Sequence, residues 1–323
     1  MSSIGLNAGR TASFEDVSRS PLPVRDGLNP SRIRQPEDGM WATTLDYLLE
    51  RFPQDAVRLR EKVAAGEVVD EKGVGITEAS AYAPRRFVYL YRDPPVESRV
   101  PFEIDVLHRD ENILVVDKPH FLASTPRGRY IAESALVRLR RDLDLPELSP
   151  AHRLDRVTAG LLLFTVHQAA RRGYQTMFAE RRVAKEYEAI ARYDAQVSTP
   201  VVVRSRIVKE RGVLKAEEIE GEPNSESRIE LIETRDGFAR YRLIPHTGKT
   251  HQLRLHMTSV GLPIHGDNFY PDFYDVAAED YSNPLRLLSK VLEFEDPMTG
   301  RLRRFESRRT LSWPDESGGG DSP

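Results

Sequence analysis

The stretch Leu161 to Val166, LLLFTV, carries no charge and no turn former, and it restricts the fold more than any other segment. A half-buried strand alternates apolar and polar residues, so a run like this implies a strand covered on both faces of a sheet. Directly before it stands AHRLDRVTAG, where one acid, Asp155, sits among His152, Arg153 and Arg156. Opposite charge close by favours the ionised carboxylate. An ionised aspartate at the end of a buried strand can act as nucleophile, base or electrostatic anchor. A structural ion pair explains the same charges equally well, and this stretch alone leaves both readings open.

At 323 residues the chain suits one large domain with additions, or two domains. Residues 1–38 are polar and proline-bearing without an apolar period, and read as a flexible arm. Residues 39–95 read as a small N-terminal α/β region. There Thr43 or Thr44 caps a helix through Leu45, Leu48, Leu49 and Phe52. A second helix runs from Asp55 to Ala65, and a strand starts at Val68. Pro94-Pro95 closes this region, residues 96–314 form the main domain, and the Gly-rich tail 315–323 reads as disordered.

Within the main domain, ILVVDKP (Ile113 to Pro119) is a strand, and Ser134–Arg141 and Ala169–Phe178 are helices. Lys185–Arg192 is an alternating strand, with Tyr187, Ala189 and Ala191 on one face and Glu186, Glu188 and Ile190 on the other. Arg228–Glu233 and Phe238–Leu243 flank Arg235-Asp236-Gly237, a hairpin signal. His251–Ser259 is a helix with Thr250 at its N-cap. Strands and helices alternate without a regular βαβ rhythm, so the class expected is α+β.

The chain has no cysteine, which excludes disulfides and thiolate metal sites and fits a reducing compartment. The N-terminus lacks the apolar core of a secretory signal, and no apolar run is long enough to cross a bilayer. A cytoplasmic protein without membrane contact is expected, and no exposed heptad suggests anything but a monomer. Net charge is −3, which argues against a sequence-blind nucleic-acid binder. Local asymmetry remains: residues 171–192 and 301–309 are arginine-rich, whereas 217–230 and 272–280 are acidic.

A second cluster, HTGKTHQLRLHM (His246 to Met257), places His251, Arg254 and Leu255 on one helical face. His251 and His256 are five apart and lack acidic neighbours, so a metal site is not expected. The cluster is no phosphate-binding loop either, because the second glycine is missing. Tyr187 is either core or a surface on which a base stacks.

Taken in order, ILVVDKP, HRLDRVTAGLLLF, VAKEYEAI, TGKTHQLRLHM, GLPIHGDNFY and PLRLLSKVLEFEDPMTG resemble the RluA-type family of RNA pseudouridine synthases. The resemblance spans residues 102–314. It implies that family's fold, with a mixed, mainly antiparallel central sheet flanked by helices, and isomerisation of a specific uridine in structured RNA without a cofactor. It puts the nucleophilic aspartate on Asp155, the active-site tyrosine, which stacks on the target base and is implicated in proton transfer, on Tyr187, and the aspartate's basic partner on Arg254. Arg153 matches the arginine that helps open the RNA, and Leu255 an apolar contact beside the base. His152, Thr158 and Lys185 complete the expected substrate contacts, and no metal is implied.

Two departures stand out: Ala159 occupies a common serine position, and His120-Phe121 replace small residues. The N-terminal region faintly resembles an RNA-binding module of relatives, diluted by Glu61, Glu67, Asp70 and Glu71. Targets implied are a 23S rRNA loop, a tRNA anticodon stem-loop, or both. A non-catalytic RNA-binding protein or RNA chaperone on a synthase fold is the competing expectation, and an aspartate–histidine hydrolase using His152 a third. The arginine-rich stretches at 171–185 and 301–309 are candidate phosphate contacts.

Overall fold

The computed structural model describes residues 20–94 and 96–314, and the chain divides at Pro94/Pro95 into two units. The first unit holds β1 (Ser31–Arg34), α1 (Thr44–Arg51), α2 (Ala56–Ala64), β2 (Val68–Asp70) and β3 (Phe87–Leu90). Its sheet runs β1-β3-β2, antiparallel throughout. Thr43, not Thr44, caps α1: its hydroxyl accepts from the Asp46 amide while the Asp46 carboxylate accepts from the Thr43 amide. Leu45, Leu48, Leu59 and Val63 then pack on Val68, Val88 and Leu90.

The flexible arm expected over residues 1–38 is corrected by β1. Only Ile33 among the four residues of β1 has an apolar side chain to bury, so hydrophobic pattern could not reveal it. Backbone pairing with β3 orders it instead. Residues 1–19 of the arm, and the tail 315–323, lie outside the described residues.

The second unit contains β4 (Asp105–Arg109), β5 (Ile113–Lys118), α3 (Ala135–Asp142), β6 (Ser149–Pro150), β7 (Ala159–Thr165) and α4 (Gln168–Ala179). There follow β8 (Val183–Arg192), β9 (Val201–Val208), β10 (Glu217–Ile219), β11 (Ser225–Arg235), β12 (Phe238–Pro245) and α5 (Gln252–Ser259). The last strands are β13 (Leu287–Glu295) and β14 (Leu302–Glu306). They build an 11-stranded sheet ordered β10-β9-β11-β12-β8-β13-β7-β5-β4, with β14 on β13 and β6 on β7. Every pairing is antiparallel except β7 with β13, so the sheet is mixed and mainly antiparallel, and the class is α+β.

The apolar run is sandwiched as its composition required. Leu162 and Phe164 pack against Leu136 and Leu139 of α3 on one face. Leu161 and Leu163 pack against Ala170, Tyr174 and Met177 of α4 on the other. In β8 the alternation fails at Ile190, which was expected beside Glu186 and Glu188 but is fully buried. Leu311 and Trp313, far away in sequence, cover that face together with Phe238 and Leu288. The β11–β12 hairpin turns through Asp236 and Gly237, both at positive φ, as its Asp-Gly pair predicts.

Gly160 is where β7 meets β13. Its φ is +105°, and a Cβ there would lie 2.3 Å from the Ser289 carbonyl oxygen. The neighbour is backbone and cannot rotate away. Gly160→Ala is therefore expected to cost about 2–5 kcal/mol through overpacking and backbone strain. The matching fall in Tm is roughly 5–15 °C. A variant melting with the wild type would show that the two strands can part freely.

Candidate active site

Tyr187, Ser289, Gly160 and Lys118 form one row across β8, β13, β7 and β5. Beside this row the turn from Leu154 to Val157, between β6 and β7, carries Asp155. The turn is clamped from one side by residues 118–124. Ser124 Oγ donates to the Leu154 carbonyl and accepts from the Leu154 amide, at 2.7 and 3.0 Å. His120 Nδ1 donates to the Val157 carbonyl at 2.8 Å. Buried Lys118 Nζ donates to the carbonyls of Pro119, Leu122 and Arg156. Phe121, at φ +65°, accepts from Arg156 through its carbonyl. Thus His120 and Phe121, noted as departures, are part of what shapes the turn.

Asp155 faces a cavity of about 160 Å³ lined by Arg153, Thr158, Lys185, Tyr187, His251 and Arg254 among others. Engineered cavities of roughly 150 Å³ admit a benzene ring, so a single pyrimidine base fits. Asp155 Oδ2 lies 3.9 Å from Arg254 Nη1 and 3.9 Å from His251 Nε2. Its side chain keeps about a quarter of its surface exposed.

Arg254 is not primarily the partner of Asp155. Its Nε and Nη2 donate to the two carboxylate oxygens of Asp267, at 2.7 and 2.5 Å. Asp267 also accepts from the amides of Phe269 and Tyr270, and the guanidinium lies over both rings. This bidentate lock leaves Nη1 directed toward Asp155. Burial works against the guanidinium's charge, but the Asp267 hydrogen bonds and charge outweigh it and hold Arg254 above its ordinary value.

Burial pushes the Tyr187 phenol up to about 12; the Ser289 hydroxyl opposes this and the Asp155 charge adds to it. Lys185 donates to the Thr247 carbonyl at the cavity wall, and burial followed by Arg181 lowers it. Thr158 is buried at the cavity edge and Arg153 is exposed at its mouth.

Two expected substrate contacts lie elsewhere. His152 does not line the cavity: its ring stacks on Phe178 at 4.3 Å, and Nε2 accepts from the Leu163 amide. Leu255 points away, packing with Ile207, Ala216 and Tyr270. Helical spacing put it beside Arg254, but α5 starts at Gln252. The N-cap is His251 in the left-handed conformation, not Thr250, so His251 lies outside the helical repeat, and Arg254 and Leu255, consecutive within α5, point about 100° apart.

The arginines of 301–309 are mostly engaged. Arg303 pairs with Asp110 and Asp296, Arg304 with Glu293, and Arg309 with Asp105 and Asp117. In the other stretch Arg182 pairs with Glu180, while Arg172 and Arg181 are exposed.

Sequence reasoning missed Asp267, His251 and Lys118 as members of this site. Each stood inside a quoted motif, but nothing local tied it to Asp155. Among the described residues, no group of three or more His, Cys, Asp or Glu could hold a metal ion. No helix among them is long and apolar enough to cross a membrane.

The family described as RNA pseudouridylate synthase matches residues 112–259. The dual-specificity RNA pseudouridine synthase RluA of Haemophilus influenzae is 32% identical over 231 residues, covering 67% of this chain and 96% of that protein. Its Pasteurella multocida namesake is 33% identical over 219 residues, covering 63% and 92%. Among solved structures, human RNA pseudouridylate synthase domain containing 4 is similar at a TM-score of 0.49 and 22% identity, over 64% of this chain and 88% of that one.

Proposed function

This chain belongs to the RNA pseudouridine synthase family and isomerises uridine in RNA to pseudouridine, and on that premise we propose that Asp155 is its nucleophile, acting on a base turned out into the cavity. The observation that carries this reading is a carboxylate on a rigid turn, facing a ring-sized cavity with a buried guanidinium 3.9 Å away.

The reaction breaks N1–C1′, forms C5–C1′ and moves a proton from C5 to N1. Attack by Asp155 on C1′ or on the uracil ring needs the ionised carboxylate in either case. Arg254, aligned by Asp267, stabilises that charge and directs it. A base in folded RNA must first leave its stack, at a cost of a few kcal/mol. Arg153, exposed at the mouth, is placed to offset this by filling the gap with a planar cation. Tyr187 offers a flat wall for the extruded ring. A phenol raised to about 12 stays protonated at neutral pH, so stacking and hydrogen-bond donation fit it better than removal of the C5 proton.

The substrates proposed are a 23S rRNA loop and a tRNA anticodon stem-loop, recognised by shape and by the unstacked loop. The dual-specificity naming of the relatives supports two RNA classes. The cysteine-free composition fits work in the cytoplasm, and a monomer fits a sequence without an exposed heptad. Carbodiimide treatment followed by primer extension, on rRNA and tRNA from cells with and without the gene, tests the pair. Pseudouridine stops in both RNAs are expected to vanish without the gene. Loss from one RNA alone, or from neither, would overturn dual substrate use.

A further inference from the structure

His251 belongs to none of the roles above, yet its ring reaches the reacting carboxylate. Its Nδ1 lies 2.9 Å from the Tyr270 hydroxyl. That hydroxyl lies 2.7 Å from the Ala216 carbonyl oxygen and accepts from the Ala216 amide. Two oxygens at 2.7 Å require a proton between them, and a carbonyl supplies none, so the Tyr270 proton is spent on Ala216. The Tyr270 oxygen can then only accept from His251. Nδ1 therefore carries the ring proton, and Nε2 presents a bare lone pair to the cavity, 3.9 Å from Asp155 Oδ2. Burial pushes the imidazole down to about 4; Asp155 opposes this and Arg254 adds to it, so the ring is neutral at physiological pH.

A bare acceptor at the cavity wall is placed to take a hydrogen bond from a donor of the substrate. A uridine within RNA brings two: the uracil N3–H and the ribose 2′-hydroxyl. N3–H lies across the ring from C6 and points away from it, whereas the 2′-hydroxyl sits on the carbon next to C1′. A group beside the attacking oxygen meets the ribose. We propose that His251, held as its Nδ1–H tautomer by Tyr270, accepts a hydrogen bond from the 2′-hydroxyl of the target uridine and thereby makes the site selective for ribose. This rests on the reading of Asp155 as nucleophile.

The test compares RNAs carrying uridine, 2′-deoxyuridine or 2′-fluorouridine at the target position. Fluorine keeps the ribose pucker but cannot donate. For the wild type, both substitutions are expected to lower kcat/KM by about 10- to 100-fold, the usual loss when a buried acceptor goes unpaired. In His251→Ala the uridine substrate slows, and the ribose-to-fluoro ratio falls to near one. A ratio unchanged by His251→Ala would overturn the proposal. Independently of any variant's folding, long-range ¹H–¹⁵N NMR of the wild type is expected to show the Nδ1–H tautomer, and an Nε2–H signature would refute it. Asp155→Asn runs alongside: turnover surviving there removes the nucleophile reading, whereas an intact ribose preference in His251→Ala removes only this one.

Discussion

Asp155→Asn is expected to lower single-turnover conversion by at least about 10⁴-fold, since removing a covalent nucleophile takes away the step itself. RNA affinity should stay within about threefold. The reason for that separation is geometric. The clamps on the turn reach the backbone of Leu154, Arg156 and Val157, and the Asp155 side chain supports none of them. Arg254 keeps its bidentate partner Asp267 when the charge at position 155 is removed. Tritium release from RNA labelled at uridine C5 reads the chemistry directly, and filter binding reads affinity. Residual turnover within tenfold of wild type would falsify the nucleophile assignment.

A second large effect is expected in mild acid. Burial pushes His120 and His152 down to about 3, and His251 and His256 down to about 4. Each is therefore neutral in the folded chain and takes up a proton near its ordinary value of about 6.5 only on unfolding. With folded values below unfolded ones, the unfolded state binds more protons between about pH 6.5 and 4, and stability falls as pH drops through that window. At four protons the slope approaches about 5 kcal/mol per pH unit. Asp117, raised by burial, pulls the other way with a single proton. Urea unfolding at pH 7.5, 6 and 5 is expected to show the midpoint collapsing between the last two. Equal midpoints at pH 7.5 and 5 would mean that these rings are charged in the folded protein.

Much of this architecture was legible wherever a pattern was local. The double-sided burial of β7 followed from LLLFTV, the β11–β12 turn from Asp-Gly, and α1 from its apolar spacing and threonine cap. Ile190 and β1 escaped because their order comes from partners remote in sequence: Leu311 and Trp313 for one, β3 for the other. At the site, Asp155, Tyr187, Arg254, Thr158, Lys185 and Arg153 do share one cavity. His152 and Leu255 do not, because neighbours in sequence need not face the same way on a turn or a helix start. Charge counting missed the partners in the run at 301–309: Arg303, Arg304 and Arg309 pair with acids on β4, β5 and β13 or next to them, which no linear reading pairs up.

The placement of β13 has a consequence for synthesis. Asp155 lies at the entrance to β7 and Tyr187 on β8, and these strands do not touch; β13, which begins at Leu287, is wedged between them. A nascent chain emerging from the ribosome has the strands for the pairings β5–β7 and β8–β12 before it has β13. Neither assembly contains a working site. The two halves of the reaction centre meet only when the late strand slides in, with Gly160 allowing its backbone to seat. The site is thus complete only once β13, late among the described residues, has been made.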